Sequence, residues 1–180
     1  MEYKQRRSIR LKNYDYSQAG GYCLTICTKN KQCLFGFIKD NQMKLNHFGA
    51  IVRKYWQAIP DHFPYVELDT FVIMPNHIHG ILWIIKSPNQ THQSCEFGKP
   101  IKGSIPSIVR AFKAVVTKDI NKISQLKNTS LVWQRNYYEQ IIRDDRMLLN
   151  IREYIVNNPL NWQQDSDYSP SSDILFDLPF

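Results

Sequence analysis

The chain has 180 residues, 43% hydrophobic and 22% charged, with 7 Gly and 9 Pro. That length predicts one domain burying its own core without a disulfide or structural metal, and the composition excludes disordered, collagen-like and low-complexity classes. Lys and Arg number 23 against 16 Asp and Glu, a net +7, which biases the chain toward polyanions: nucleic acid or an anionic membrane surface.

Met1 to Lys12 is polar, and no apolar stretch reaches the roughly 18 residues that would span a bilayer. A cytoplasmic protein with reduced cysteines and no membrane association is therefore expected. Lys4, Arg6, Arg7, Arg10 and Lys12 make residues 1–20 a basic N-terminal arm, either a solvated tail or a nucleic-acid contact. Gly20-Gly21 is a turn. Tyr22 to Thr28 alternates as a strand, with Leu24 and Ile26 on one face and Cys23, Thr25 and Cys27 on the other. Cys33 to Ile38 reads as its hairpin partner across the polar turn Lys29 to Gln32. Of the 4 cysteines, Cys23 and Cys27 with Cys33 or His92 could hold zinc, but the spacing is not that of a tight site and buried thiols fit better.

Asn46 caps a predicted helix from His47 to about Ala58, with Phe48, Ile51, Val52, Tyr55 and Ile59 at helical spacing and Pro60 ending it. Tyr65 to Met74 and His77 to Ile85 form a second predicted hairpin across Met74-Pro75-Asn76. Lys86 to Gly103 is a long polar loop. Ser104 opens a helix reaching about Ser124, apolar along Ile105, Ile108, Val109, Phe112, Val115, Val116, Ile120 and Ile123, and basic at Arg110, Lys113, Lys118 and Lys122. Leu131 to Trp133 and Tyr138 to Ile142 look extended. Asp144 opens a last helix that Pro159 closes, and Ile174, Leu175 and Phe176 are placed to pack back. The pattern is an α+β sheet with helices packed against it: the arm 1–20, one domain over 21–162 and a tail over 163–180.

No phosphate-binding loop or nucleophile elbow occurs, and carboxylates do not cluster beyond Asp144-Asp145. The unusual feature is His77-Ile78-His79 in an apolar strand. Residues two apart share a strand face, so both imidazoles project together, either as core histidines or as a divalent metal site. A third ligand is available on the last helix, where Tyr154 and Asn158 lie one turn apart. The Asn158 carbonyl suits Mg²⁺ or Mn²⁺, and a phenol one turn away suits a nucleophile; the alternative is a core Tyr154 and a helix-ending Asn158.

The segment Met74-Pro75-Asn76-His77-Ile78-His79-Gly80-Ile81 resembles the His-hydrophobe-His (HUH) motif of the single-tyrosine transposases. Val132-Trp133-Gln134-Arg135-Asn136-Tyr137-Tyr138-Glu139, followed by Tyr154-Ile155-Val156-Asn157-Asn158-Pro159, is similar to their REP-associated branch. The resemblance spans about residues 5–162. It implies a ferredoxin-like antiparallel sheet of HUH endonuclease type, a divalent metal (Mg²⁺ or Mn²⁺) on His77, His79 and Asn158, and Tyr154 as nucleophile. It implies cleavage and rejoining of single-stranded DNA beside a hairpin through a 5′-phosphotyrosine, by a monomer or a homodimer. Arg6, Arg7, Arg10, Arg110, Lys113 and Lys118 are candidate phosphate contacts, and Trp133, Tyr137 and Tyr138 candidate base-stacking residues. Two other readings compete: a non-catalytic hairpin-binding derivative, and a water-activating metal phosphodiesterase with a structural Tyr154. No residue stands out as the general base.

Overall fold

The computed structural model describes residues 14–86, 101–123 and 132–168. In chain order the elements are β1 (Gly20–Cys27), β2 (Gly36–Lys39), β3 (Gln42–Leu45), α1 (His47–Gln57), α2 (Ile59–His62), β4 (Val66–Ile73), β5 (His77–Ile84), α3 (Ile105–Ile123), β6 (Tyr138–Ile142) and α4 (Asp145–Asn157). Single 3₁₀ turns lie at Lys29–Lys31 and Trp162–Gln164.

Four strands form one antiparallel sheet in the order β4-β5-β1-β6. With α1 between β1 and β4 and α3 between β5 and β6, this is the expected ferredoxin-like arrangement. The β4–β5 hairpin, α1, α3 and α4 lie where the sequence periodicity puts them. Asn46 caps α1 by accepting from the Gly49 amide at 3.0 Å, and Asp144 caps α4 by accepting from the Met147 amide at 2.8 Å. Pro60 falls not at the end of α1 but in the first turn of α2, where its missing N–H costs nothing.

The predicted pairing of Cys33 to Ile38 with the first strand does not form. Both edges of β1 are taken, by β5 and β6. The segment Gly36–Lys39 pairs instead with Gln42–Leu45, as a separate small sheet. Its turn, Asp40-Asn41, has φ of 51° and 58°, the left-handed pair of a two-residue hairpin that Asp and Asn tolerate.

The two faces of the main sheet differ in chemistry. One carries Tyr22, Leu24, Ile26, Ile78, Leu82 and Ile84 and is covered by Val52 and Trp56 of α1 and Ile108, Phe112 and Val116 of α3. Each such aliphatic side chain, fully buried, contributes about 1.5–3 kcal/mol. Gly80 lies on this face beneath Trp56, where an added Cβ would come within 2.3 Å of the indole and 3.0 Å of the Phe71 Cβ. Gly80→Ala is therefore expected to destabilise by about 1–3 kcal/mol through overpacking. Urea titration should show a lowered midpoint with unchanged slope.

The opposite face of β5 carries His77 and His79 and is approached by α4. Residues 14–19, assigned from sequence to the arm, pack on the core: Tyr16 is buried, its carbonyl accepts from the Ile105 amide at 3.0 Å, and the Gln18 carbonyl accepts from the Tyr22 hydroxyl at 2.9 Å. Arg6, Arg7 and Arg10 lie outside the described residues, as do Ile174, Leu175 and Phe176. Among the described residues, no helix is long and apolar enough to cross a membrane.

Candidate active site

Alternation along β5 sends Ile78 into the core and both imidazoles to the α4 side, their ring centroids 4.4 Å apart. Neighbouring side chains set which nitrogen each presents. The Asn76 amide donates to the Lys31 carbonyl at 3.1 Å and the Asp167 carbonyl at 2.8 Å. Both of its hydrogens are thus used, so its Oδ1, 2.8 Å from His77 Nδ1, accepts the proton held there. His77 Nε2 is left with a free lone pair and is buried with no hydrogen-bond partner. His79 is held the same way, with Nδ1 2.9 Å from Thr25 Oγ1 on the adjacent strand. Metal-binding histidines are oriented by such outer contacts on the nitrogen remote from the ion. Burial, and then the neighbouring His79, push His77 well below the ordinary imidazole range, so it is neutral near pH 7, as a ligand must be.

α4 supplies the phenol. Tyr154 Oη lies 3.2 Å from His79 Nε2, and the two rings are 5.1 Å apart. Tyr154 is 48% exposed, so its hydroxyl is open to a ligand entering from solvent. One turn later Asn158 is 2% exposed, with its Oδ1 buried and unpartnered. Its Nδ2 donates to Asp165 Oδ2 at 2.8 Å.

Asp165 is the residue missed from sequence. The chain turns at Pro159 and through Trp162–Gln164, whose Trp162 ring lies 5.9 Å from the His77 ring, and Asp165 comes back beside Asn158. Its Oδ2 is 3.3 Å from Tyr154 Oη and 4.0 Å from His79 Nε2. One ligand atom from each of His77, His79 and Asp165 lies within 4.8 Å of the others. The segment after residue 162 therefore contributes one carboxylate to the site. Lys31 holds it down through an ion pair to Asp167 at 3.0 Å and a hydrogen bond to the Ser166 carbonyl at 3.0 Å. Burial alone would raise the Asp165 carboxyl; contacts from His79, the Asp167 amide and Asn158 outweigh it and hold it below the usual carboxylate range. Burial, followed by the Asp165 charge, pushes the Tyr154 phenol up to about 12.

These atoms suit a divalent cation. Two imidazole lone pairs, a carboxylate and an unpartnered amide oxygen converge, a nitrogen and oxygen set that matches a borderline-to-hard ion such as Mn²⁺ or Mg²⁺. No cysteine joins this group among the described residues, and Cys23, Cys27 and Cys33 form no disulfide.

The position of α4 rests on few contacts, since Ile155 is its one buried residue. A polar clamp compensates. β4 bulges between Leu68 and Phe71, and Asp69 in that irregularity accepts Arg152 Nε at 2.9 Å, Arg152 Nη2 at 2.6 Å and Trp83 Nε1 at 3.0 Å. The Arg152 hydrogen bonds hold the Asp69 carboxyl well below its ordinary range. A depressed folded-state pKa gives stability that is present above the unfolded value near ~4 and is lost as pH falls below it. Asp69→Asn should therefore cost about 1 kcal/mol at neutral pH, the partly exposed guanidinium limiting the effect. The gap to wild type should stay level from pH 8 to 5 and shrink below about pH 4 in denaturant titrations.

The other sequence-derived candidates divide. Trp133 is not available to bases: it is 8% exposed and packs 5.3 Å from Phe35 and 5.8 Å from Phe112. Lys113 is not free for phosphate, because its ammonium donates to the Gln134 and Asn136 carbonyls at 2.8 and 3.2 Å and lies over the Tyr137 ring. Burial lowers its pKa to about 8. Arg110 and Lys118 are exposed on α3, across the sheet from the histidines. Tyr137 and Tyr138 line a cleft of about 880 Å³ that reaches His79 and Tyr154.

No family model matches the chain. It is 51% identical over 170 residues to an uncharacterized protein of Haemophilus influenzae, covering 91% of this chain and 93% of that one. It is 27% identical over 153 residues to an H. influenzae protein named as a candidate REP-associated tyrosine transposase, covering 83% of this chain and 77% of the relative. The fold is that of a REP-associated tyrosine transposase solved bound to a REP hairpin, with a TM-score of 0.56 at 18% identity over 84% of this chain and 73% of that one. The chain shares the fold of that transposase. On that fold, the His77-Ile78-His79 pair, Tyr154 and Asp165 are the features that need a role. The REP hairpin is a property of the solved relative's complex.

Proposed function

We propose that the chain is a REP-associated tyrosine transposase acting as a divalent-metal-dependent transesterase. It would cut single-stranded DNA beside a hairpin and rejoin it through a 5′-phosphotyrosine on Tyr154. The observation that carries this reading is the convergence, around one point, of the Tyr154 hydroxyl, the buried lone pair of His77 Nε2, His79 Nε2 and the Asp165 carboxylate. A water-activating site has no need of a solvent-facing phenol at its ligands.

His77, His79 and Asp165 would hold the cation, with the Asn158 oxygen as a further donor. When bound, the cation supplies positive charge against the scissile phosphate and the attacking oxygen. The protein's own groups do the rest. α4 holds the Tyr154 oxygen at the ligands, so attack is intramolecular once a phosphate is seated. With both imidazole lone pairs committed, Asp165 Oδ2 at 3.3 Å is the remaining acceptor for the phenol proton. The new bond is Tyr154 oxygen to phosphorus; the broken bond is phosphorus to the 3′ oxygen, which leaves as a free hydroxyl carrying the proton that Asp165 took from the phenol. The phosphodiester is exchanged rather than hydrolysed, so a returning 3′ hydroxyl can reverse the step without ATP.

The hairpin reading draws support from the relative seen in complex with one. The test is incubation with end-labelled single-stranded hairpin DNA from the flanks of the protein's own gene, with and without Mn²⁺. A metal-dependent cut and a denaturation-resistant protein–DNA adduct are expected. Binding without cutting would identify a hairpin-binding derivative instead.

A further inference from the structure

Taking Tyr154 and the histidine pair as a strand-cleaving centre, we propose that the adjoining cleft seats the unpaired nucleotide next to the scissile phosphate, and that Gln140 and Asn150 read its base. Among the described residues, this face is closed on one side of the histidines and open on the other. On the β4 side of the histidines, the Arg152–Asp69–Trp83 clamp joins α4 to the sheet and closes the way. On the β1 and β6 side, α4 and the sheet diverge into the cleft of about 880 Å³. That lies within the range of pockets that enclose ligands of nucleotide size.

The shape of the cleft follows from register. Its floor is β1, with the small side chains Cys23 and Thr25. Directly opposite them on β6 stand Gln140 and Tyr138, respectively. The other wall is α4, where Asn150 lies one turn before Tyr154, about 6 Å along the axis and on the same side of the helix. A base adjoining a phosphate held at Tyr154 therefore meets one amide from the strand and one from the helix. Tyr138, 53% exposed, offers a ring on which that base can stack.

The cleft offers both kinds of contact. Arg146 of α4 lines it as a phosphate partner, whereas the amides of Gln140 and Asn150 each present one donor and one acceptor edge that match the edge of a base. An amide on each wall makes the cleft a reader of base identity next to the reacting centre, where a mispaired edge would misplace the phosphate.

The test uses hairpin oligonucleotides randomised at the two positions flanking the cut. Wild type should favour one base at one of them by about tenfold or more. Gln140→Ala and Asn150→Ala should each flatten that preference to within about twofold while adduct formation continues. Gln140→Glu should shift it toward cytosine, whose amino group a carboxylate accepts. The same oligonucleotides are also measured for binding to Tyr154→Phe, which needs no chemistry. Loss of base discrimination when Gln140→Ala is added to Tyr154→Phe supports the cleft even where no cleavage is seen. Absence of any adduct from wild type would overturn the transesterase reading alone. An unaltered preference in both alanine variants, or a wild type indifferent to base, overturns the reading of the cleft.

Discussion

Tyr154→Phe is expected to abolish the protein–DNA adduct and to lower cleavage by at least about three orders of magnitude, with fold and hairpin affinity near normal. The change deletes one oxygen. That oxygen donates no contact the fold depends on, because the residue is half exposed and its hydrogen bonds run to His79 and Asp165, within the site. Tyr137 and Tyr138 border the same cleft, so the competing assignment is a real one. Tyr154 is favoured because its hydroxyl lies 3.2 Å from His79 Nε2 and the Lys113 ammonium is already docked on the Tyr137 ring. Tyr137→Phe and Tyr138→Phe should still form the adduct. Peptide mapping should find DNA on the fragment containing Ile151 to Asn158. An adduct on the Tyr137-Tyr138 fragment would overturn the assignment, and undiminished cleavage by Tyr154→Phe without any adduct would establish a water-activating phosphodiesterase.

What could be read from sequence divides along a physical line. Periodicity is local, and it located α1 and α3 because each buries one continuous face, while caps and turn residues marked α4 and the β4–β5 hairpin. The His77 and His79 pairing on one face follows from strand geometry alone. Strand partnership is not local. Cys33 to Ile38 looked like the partner of β1, yet β5 and β6 arrive from 50 and more residues away and occupy both edges. The Asp40-Asn41 turn was the available signal for the true pairing. Trp133 shows the limit of aromatic content as evidence: a ring that could stack on a base packs equally well on Phe35 and Phe112. Asp165 carried no sequence signal, because its position depends on the turn after Pro159 folding back to bring the carboxylate to Asn158. Asp69 is a similar case, aimed at Arg152 by a bulge that no alternation pattern announces.

Removing the metal site should separate chemistry from binding. His77→Ala, His79→Ala, or EDTA with wild type should each eliminate cleavage, while hairpin affinity stays within a few-fold, because phosphate contacts elsewhere on a +7 chain supply most of the affinity. A readout independent of activity is thermal stability. An ion that binds only the folded state stabilises it by RT ln(1 + [L]/Kd), about 2.7 kcal/mol at a hundredfold excess over Kd. Mn²⁺ should raise the unfolding midpoint of wild type and leave that of His77→Ala in place. His77 is the sharper variant of the pair, since its Nε2 is buried and has no protein partner to satisfy. Asp165→Ala tests the residue that sequence did not announce. If its carboxylate is both ligand and proton acceptor, this variant loses most of the Mn²⁺ stabilisation together with cleavage. If it serves only the phenol proton, the Mn²⁺ shift persists and cleavage alone falls. A full Mn²⁺ response with full cleavage in Asp165→Ala would remove it from the site and return the third ligand to Asn158 Oδ1, whose burial without a partner already points it at the same centre.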